Sequence, residues 1–318
     1  MARYPASWSA TTSRLAVELA GLSLQNPLFL ASGTAGYGRE LDGVLDIDSL
    51  GGLVTKAVSV EPRPGAAAPR VAEFPSGMIN AVGLANPGVE EVRAEHLPWL
   101  ATRVRHARVL VNVVGSRLEQ YAEVVARIDG VPGVHGFELN VSCPNVRAGG
   151  TEFGADPDAL RELVRRARDA TKLPLFVKLS PTLADIARTA GIALEAGANG
   201  LTLVNTMPGL LVDLDKRKPV LGFGTGGVSG GALLPIGLLA TSKVYRATKA
   251  PIIGVGGITS ATDALQYLVA GATAFGIGTA AMRDPRLPGR LLRDVASWCE
   301  VRGVTSISSL TGSLEWPA

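Results

Sequence analysis

The chain has 318 residues, of which 47% are hydrophobic and 19% are charged. A chain this apolar is not intrinsically disordered, and its length is sufficient to bury a large core. Its formal net charge of +3 comes without a run of basic residues, which argues against a nucleic-acid-binding protein.

Eight short apolar runs alternate with helical patterns along the chain. None shows the two-residue alternation of a half-exposed strand, so we predict parallel strands that are covered on both faces. Eight strands in this order favour an α/β fold of the closed (β/α)8 TIM-barrel type over an open doubly wound sheet. The predicted strands are Leu28–Ser32, Gly52–Val58, Val109–Val114, Gly136–Val141, Leu175–Leu179, Gly200–Asn205, Pro251–Val255 and Ala274–Gly278.

Two helices and a hairpin have clear local signals. Asp156 followed by Pro157 predicts an N-cap and the first residue of a helix. Ser260 opens another predicted helix, which Gly271 ends. Residues Leu15 to Asn26 alternate as two short strands, and we expect this β-hairpin to plug the N-terminal mouth of the barrel.

Two connections between predicted strands are long, residues 59–108 and residues 206–250. Long βα connections lie over the C-terminal face of a barrel, where active sites are built. No linker-like segment divides the chain. We therefore predict one domain over residues 1–318, in which residues 1–14 are flexible.

The predicted strands carry polar residues or glycines at their C-terminal ends. Any one of these residues is compatible with a local cap or turn, but in a barrel the eight ends converge on one pocket. Together they indicate a binding site. They are Ser32-Gly33, Lys56, Asn112, Asn140, Lys178, Asn205-Thr206, Gly256-Gly257 and Gly278-Thr279.

The last two strands end in glycine-rich turns. Loops after strands seven and eight of a barrel commonly hold phosphate, because glycines let backbone N–H groups approach its oxygens. Gly256-Gly257 and Gly278-Thr279 are therefore predicted to bind a phosphate. Residues Gly222 to Gly227 match the spacing of a dinucleotide-binding loop, but no helix pattern follows and no acidic residue lies about twenty positions downstream. We interpret that segment as a flexible loop.

Two lysines and one cysteine are the reactive candidates. Lys56 and Lys178 end apolar strands, where a buried ammonium requires a negative partner. A structural carboxylate, an anionic ligand and the Schiff-base lysine of an aldolase are all compatible with this placement. Cys143 follows a strand end at the barrel mouth, where a thiol can serve as acid, base or nucleophile.

The sequence offers little for a metal. Two cysteines, Cys143 and Cys299, cannot form a disulfide framework, and an iron–sulfur cluster or a structural zinc needs about four ligands. The three histidines show no metal-ligand spacing. The first 13 residues have no signal-peptide core, and no apolar stretch is long enough for a bilayer. We expect a cytoplasmic protein with no membrane contact and no metal of its own.

Between about Leu15 and Asp284 the sequence resembles dihydroorotate dehydrogenase. The loop after Cys143, followed by Phe153-Gly154, resembles the class 1B enzymes, which pass electrons towards NAD. One departure is Ser229-Gly230-Gly231, where the family usually has Ser-Gly-Pro. The matching segments are Leu30–Thr34, Val54–Ala57, Asn80–Gly88, Asn140–Val146, Val177–Pro181, Val204–Thr206, Gly256-Gly257 and Gly278-Thr279.

The resemblance implies one FMN per chain and the oxidation of dihydroorotate to orotate, a step of de novo pyrimidine biosynthesis. Cys143 would take a proton from C5 of dihydroorotate while a hydride leaves C6 for the flavin. The implied FMN contacts are Ser32, Lys56, Ala57, Asn112, Asn140, Lys178, Val204, Gly230, Gly256, Gly257, Gly278 and Thr279. The implied substrate contacts are Lys56, Asn80, Ala81, Val82, Gly83, Leu84, Asn140, Asn205 and Thr206.

The resemblance also implies a partner. It suggests an electron-transfer subunit that carries FAD and a 2Fe-2S cluster, bound to a homodimer of this chain in a heterotetramer. A fumarate-linked class 1A enzyme, another pyrimidine-oxidising FMN barrel and a non-catalytic barrel subunit are the alternatives. Because Gly149, Gly150 and Gly154 can act as hinges, we further predict that the segment Pro144 to Gly154 is a lid over the site.

Overall fold

A computed structural model describes residues 14–142, 144–145 and 151–317 of the chain. Eight parallel strands close into a barrel in the order β5-β6-β7-β8-β1-β2-β3-β4, which confirms the predicted (β/α)8 fold. The strands are β1 (Leu28–Leu30), β2 (Gly52–Val54), β3 (Arg108–Val113), β4 (Gly136–Asn140), β5 (Leu175–Leu179), β6 (Gly200–Leu203), β7 (Ile252–Val255) and β8 (Ala274–Ile277).

Helices follow most of the strands. Between β1 and β2 the chain forms 3-10 turns at Arg39–Leu41 and Ile47–Ser49. Between β2 and β3, helical turns at Val89–Glu91 and Val92–His96 lead into α1. The helices are α1 (Leu97–Arg103), α2 (Leu118–Ile128), α3 (Pro157–Asp169), α4 (Ile186–Glu195), α5 (Leu234–Thr248), α6 (Ala261–Ala270), α7 (Thr279–Arg283) and α8 (Leu287–Val301).

Both predicted helix starts are confirmed. The Asp156 side chain accepts the N–H groups of Asp158 and Ala159, so it satisfies two donors at the start of α3 that have no partner within the helix. Ser260 and Asp263 form a capping box at the start of α6, and Gly271 ends that helix with φ of 124°.

The core lies between the strands and the helix ring. Phe29, Phe137, Phe176 and Phe275 lie on four different strands and are completely buried. Burying a side chain of this size contributes about 1.5–3 kcal/mol relative to leaving it exposed. This packing fixes the strand ends, and therefore the polar residues that follow them.

The predicted N-terminal hairpin is present. Its strands, Val17–Leu19 and Leu22–Leu24, bury alternate side chains. The guanidinium of Arg108, at the first residue of β3, donates to the carbonyl of Ser23 at 3.1 Å. The hairpin therefore lies at the N-terminal ends of the strands, as expected.

The two long connections meet at the opposite end. They form a four-stranded antiparallel sheet in the order Met207–Gly209, Gly226–Ser229, Gly77–Asn80 and Val71–Phe74, here called the mouth sheet. Segments Gly226–Ser229 and Gly77–Asn80 pair across the two connections. The sequence predicted that both connections cover this face, but not that they pair with each other.

Two further predictions concern the limits of the molecule. The proposal of one domain over residues 1–318 stays a prediction, and the segment expected to be flexible lies outside the described residues except for residue 14. Within the described ranges, no helix combines the length and apolarity needed to cross a bilayer.

Candidate active site

A cavity of about 490 Å³ lies between the C-terminal strand ends and the mouth sheet. This volume falls within the usual range for small-molecule and cofactor sites, about 300–1,000 Å³. Every residue to which the resemblance assigned an FMN or substrate contact lines the cavity. Cys143 lies outside the described residues, so its place at the site stays a prediction.

The glycine turn after β7 forms one wall of the cavity. Gly256 and Gly257 have φ of 127° and 77°, a region that side chains other than glycine rarely adopt. A β-carbon on Gly257 would lie 2.3 Å from the backbone nitrogen of Leu234. No side chain fits at Gly257, so the chain presents only backbone to a ligand at this wall.

A tyrosine from α6 holds this turn. The Tyr267 hydroxyl donates to the Gly256 carbonyl at 2.7 Å. Burial, reinforced by the charge of Asp263, raises the pKa of Tyr267 above its usual value, so the hydroxyl keeps its proton. Sequence reasoning missed this residue because a tyrosine on the inner face of a helix looks like ordinary core.

A hydrogen bond joins the turn after β8 to the mouth sheet. The Thr279 hydroxyl donates to the Ser229 hydroxyl at 2.7 Å, and Ser229 in turn approaches the Met78 carbonyl at 3.3 Å. Gly230, with φ of 100°, packs so closely that a β-carbon would lie 2.5 Å from the Cα of Gly77. Ser229 lines the cavity and was not among the predicted contacts.

Gly231, which replaces the usual proline, tolerates a larger residue. A β-carbon at this position would meet only the carbonyl of Ser76, at 3.6 Å. The departure from the family pattern therefore leaves the neighbouring Gly230 in place at the cavity wall.

A buried polar cluster lies at the floor of the cavity. The Lys178 ammonium donates to the Ser32 hydroxyl at 3.1 Å and lies 3.9 Å from Oε1 of Glu138. The Asn112 amide donates to the same Oε1 at 2.7 Å. Glu138 is the carboxylate partner that sequence reasoning left open for Lys178. It was missed because it lies within β4 and not at the strand end.

Lys56 and Lys178 both face the cavity, whereas no carboxylate of a described residue lines it. The pairing with β3 is interrupted at Lys56, whose N–H bonds to the Gly36 carbonyl, although the N–H groups of Thr55 and Val58 still bond to carbonyls of β3. This explains why β2 is shorter than the predicted run Gly52–Val58. The excess of positive charge suits an anionic ligand.

Amide side chains dominate the part of the cavity under the mouth sheet. Asn205 donates to Oδ1 of Asn140 at 3.2 Å and accepts the N–H of Thr206 at 2.8 Å. Asn80 donates to the Gly227 carbonyl at 3.3 Å. Amide groups offer both donors and acceptors, which matches the alternating C=O and N–H edge of a pyrimidine ring.

The segment Gly222 to Gly227 is not a dinucleotide-binding loop. Leu221 and Gly224 form an isolated bridge, and the segment continues directly into the strand Gly226–Ser229 of the mouth sheet. Gly226 and Gly227 themselves lie in a paired strand and not at a helix N-terminus, so the interpretation as a flexible loop is wrong for these two residues. This bears out the rejection of a Rossmann fold here, and it assigns Gly227 to the cavity wall.

The predicted lid, Pro144 to Gly154, is described only at its ends. Pro144–Asn145 pairs with Thr151–Glu152, and the Gly154 N–H donates to the Val141 carbonyl at 3.1 Å. Phe153 is buried and packs edge-on against Tyr121 with ring centroids 5.9 Å apart. The lid itself stays a prediction.

Comparison with known proteins places the chain in a family. The sequence profile described as dihydroorotate dehydrogenase matches residues 14–298. A relative from Pelobacter propionicus is 48% identical over 301 residues, which cover 95% of this chain and 98% of the relative.

Two further relatives are similar over nearly their whole length. One from Anoxybacillus flavithermus is 46% identical over 94% of this chain and 96% of its own. One from Geobacter sp. (strain M21) is 44% identical over 95% and 98% respectively. All three are named dihydroorotate dehydrogenase B (NAD(+)), catalytic subunit. The chain belongs to the dihydroorotate dehydrogenase family.

Proposed function

We propose that this chain is the FMN-containing catalytic subunit of an NAD-linked dihydroorotate dehydrogenase, which oxidises dihydroorotate to orotate in pyrimidine biosynthesis. One observation carries the proposal. The residues assigned to FMN and to substrate by resemblance are scattered from Ser32 to Thr279, and all of them except the undescribed Cys143 line one cavity.

The cavity has features that suit FMN. Gly256 and Gly257 present backbone without side chains to the cavity, and two ammonium groups face a lining without carboxylates among the described residues. Gly256, Gly257, Gly278 and Thr279 would hold the phosphate, and Lys178 would face the flavin ring. When bound, FMN supplies an acceptor for the hydride from C6 of dihydroorotate.

The chain's own residues would do the rest of the chemistry. Lys56 would pair with the substrate carboxylate, while Asn80, Asn140 and Asn205 would fix the ring through its C=O and N–H groups. Cys143 would remove the C5 proton. Because this carbon acid is weak, the thiolate must be held close to it, and the mouth sheet would keep water away.

The electrons require a further protein. In the part of the chain that the structure describes, the glycine segment Gly222–Gly227 runs into the mouth-sheet strand Gly226–Ser229 and forms no nicotinamide-binding turn. The relatives' name, "catalytic subunit", supports a second subunit. We propose that it carries FAD and a 2Fe-2S cluster and binds a homodimer of this chain, giving a cytoplasmic heterotetramer.

The visible spectrum of the purified chain tests the activity. We expect a flavin spectrum, or its appearance on adding FMN, which bleaches with anaerobic dihydroorotate and not with dihydrouracil. Bleaching by dihydrouracil alone would indicate another pyrimidine-oxidising barrel. A chain that cannot be loaded with FMN would contradict the proposal and favour a non-catalytic subunit.

The choice of acceptor tests the partner. The chain alone should reduce a dye but reduce NAD poorly. Efficient turnover with NAD and no second protein would contradict the partner subunit. Efficient turnover with fumarate would instead place the enzyme in class 1A.

A further inference from the structure

We propose that Glu138 is a positioning residue, which acts through Lys178 and Asn112 to set how strongly the cavity favours reduced over oxidised flavin. This inference rests on the proposed FMN site.

Glu138 lies one layer below the cavity. Its side chain is 1% exposed in the barrel interior and does not line the cavity, whereas Asn112, Lys178 and Ser32 do. Its Oε1 accepts from the Asn112 amide at 2.7 Å and faces the Lys178 ammonium at 3.9 Å. Any contact between Glu138 and a ligand is therefore indirect, through these two residues, whereas its charge can still act on the cavity.

The other carboxylate oxygen makes this placement costly. Oε2 of Glu138 is buried, and the described residues provide it with no hydrogen-bond partner. A buried carboxylate oxygen without a partner lowers stability unless a nearby opposite charge offsets it. The ammonium of Lys178, itself 8% exposed, supplies that charge.

The pair formed by Glu138 and Lys178 also affects the electrostatic field at the cavity floor. Lys56 and Lys178 point positive charge at the cavity, and no carboxylate of a described residue lines it. Glu138 partly cancels that positive field from below. Because two-electron reduction adds negative charge to a flavin, an uncancelled field would stabilise the reduced form.

The first test is the midpoint potential of bound FMN in Glu138→Gln. Glutamine keeps the shape and an acceptor for Asn112 but removes the charge. We expect the ratio of reduced to oxidised flavin to rise about tenfold at a given potential, which corresponds to a midpoint about 30 mV higher for a two-electron couple.

A matched control removes the same charge elsewhere. Glu162, on the outer face of α3, pairs with Arg166, and Glu162→Gln should leave the midpoint unchanged. An unchanged or lowered midpoint in Glu138→Gln would overturn the proposal.

The second test needs no flavin, so it separates this inference from the proposed function. Thermal unfolding of the apoprotein is compared for Glu138→Gln, Lys178→Met and the double variant. Each single change strands one buried charge, so the double variant should unfold at a higher temperature than the sum of the two losses predicts.

Additive losses would show that the two side chains are not coupled, and would overturn the proposal. If the single variant Glu138→Gln does not fold, we expect the double variant to fold, which would show the same coupling. If the wild-type chain binds no FMN, the proposed function fails while this cycle still decides whether Glu138 and Lys178 are paired.

Discussion

The two ends of the barrel use the same polar residue types in opposite ways. At the N-terminal end, Oδ1 of Asp48 accepts backbone N–H groups from Arg105, His106 and Ala107 at 2.6–3.0 Å. At the C-terminal end, Asn140 and Asn205 contact each other from the two strands on either side of β5, and both line the cavity.

The difference lies in what satisfies each group. The hydrogen bonds of the Asp48 carboxylate go to one neighbouring loop, and the Asn26 side chain likewise bonds to the backbone of Ser49 and Leu28. At the other end Asn80 and Asn205 also bond to the backbone of Gly227 and Thr206, but each makes fewer hydrogen bonds with described residues than an amide side chain can make. The hydrogen-bonding capacity that a polar group keeps thus separates groups that only hold the fold together from groups that can bind a ligand.

The largest expected effect comes from placing a charge in the glycine turn. Gly257→Asp should weaken FMN binding by about 10³-fold or more, because a carboxylate would repel the phosphate and its β-carbon would clash with the Leu234 backbone. Gly130→Asp is the matched control at the other end of the barrel. Gly130 also has a positive φ, but open space surrounds it, so FMN affinity should not change.

Fluorescence titration of FMN into both apoproteins measures the difference. Thermal unfolding checks that each variant is folded, since both carry the same backbone strain. Equal FMN affinity in the two variants would contradict the phosphate assignment.

Loss of the proposed base should affect the rate and not binding. In Cys143→Ala, we expect flavin reduction by dihydroorotate to slow by about 10²-fold or more, with FMN and orotate affinity largely kept. In the wild type, reduction should slow as the pH falls, because the thiolate is the base. Anaerobic stopped-flow measures both, and near-normal reduction in Cys143→Ala would rule out this role.

The link between the mouth sheet and the last glycine turn should have a smaller effect. Ser229→Ala removes the acceptor for Thr279 and should weaken FMN binding by up to about tenfold, the upper end for one neutral hydrogen bond. Ser49→Ala removes a similarly short bond to Asp46 at the other end and should leave FMN affinity unchanged. Equal effects of the two changes would mean that Ser229 does not support the cavity.

The smallest effect is expected at the N-terminal end. Burial acts to raise the pKa of Asp48, but hydrogen bonds from His106, Ala107 and Arg105 lower it below its usual value. The stability that this carboxylate contributes should therefore be lost as the pH falls below about 4. Asp48→Asn should lower the free energy of unfolding by about 0.5–1 kcal/mol at neutral pH, given its partial exposure, and flatten this acid dependence.

Chemical denaturation at several pH values tests this prediction. FMN affinity and flavin reduction should match the wild type. A loss of either would show that the two ends of the barrel are coupled.

A structural feature could be predicted from the sequence where the residues that encode it are close together along the chain. The Asp156 cap and the strand runs are encoded within a few neighbouring residues, so the eight-stranded barrel and its strand ends were found from the sequence. The cavity-lining residues followed, since closure of a barrel brings all strand ends together.

The missed features depend on residues far apart in the chain. The Asn80 amide and the Gly227 carbonyl are 147 residues apart, and no local pattern marks their pairing in the mouth sheet. Glu138 occupies a strand interior, where its partners Asn112 and Lys178 come from two other strands. Only the register of the closed barrel reveals these contacts.

The mouth sheet has a consequence for the order of folding. The hairpin Val71–Asn80 is synthesised early, but its partner strand Gly226–Ser229 emerges from the ribosome only after most of the barrel. Until then the hairpin carries an unpaired edge, which is a template for pairing with another chain. The hairpin therefore needs protection from aggregation while the first six barrel strands are synthesised, and the cavity is completed only after β7 and β8 supply Gly256, Gly257, Gly278 and Thr279.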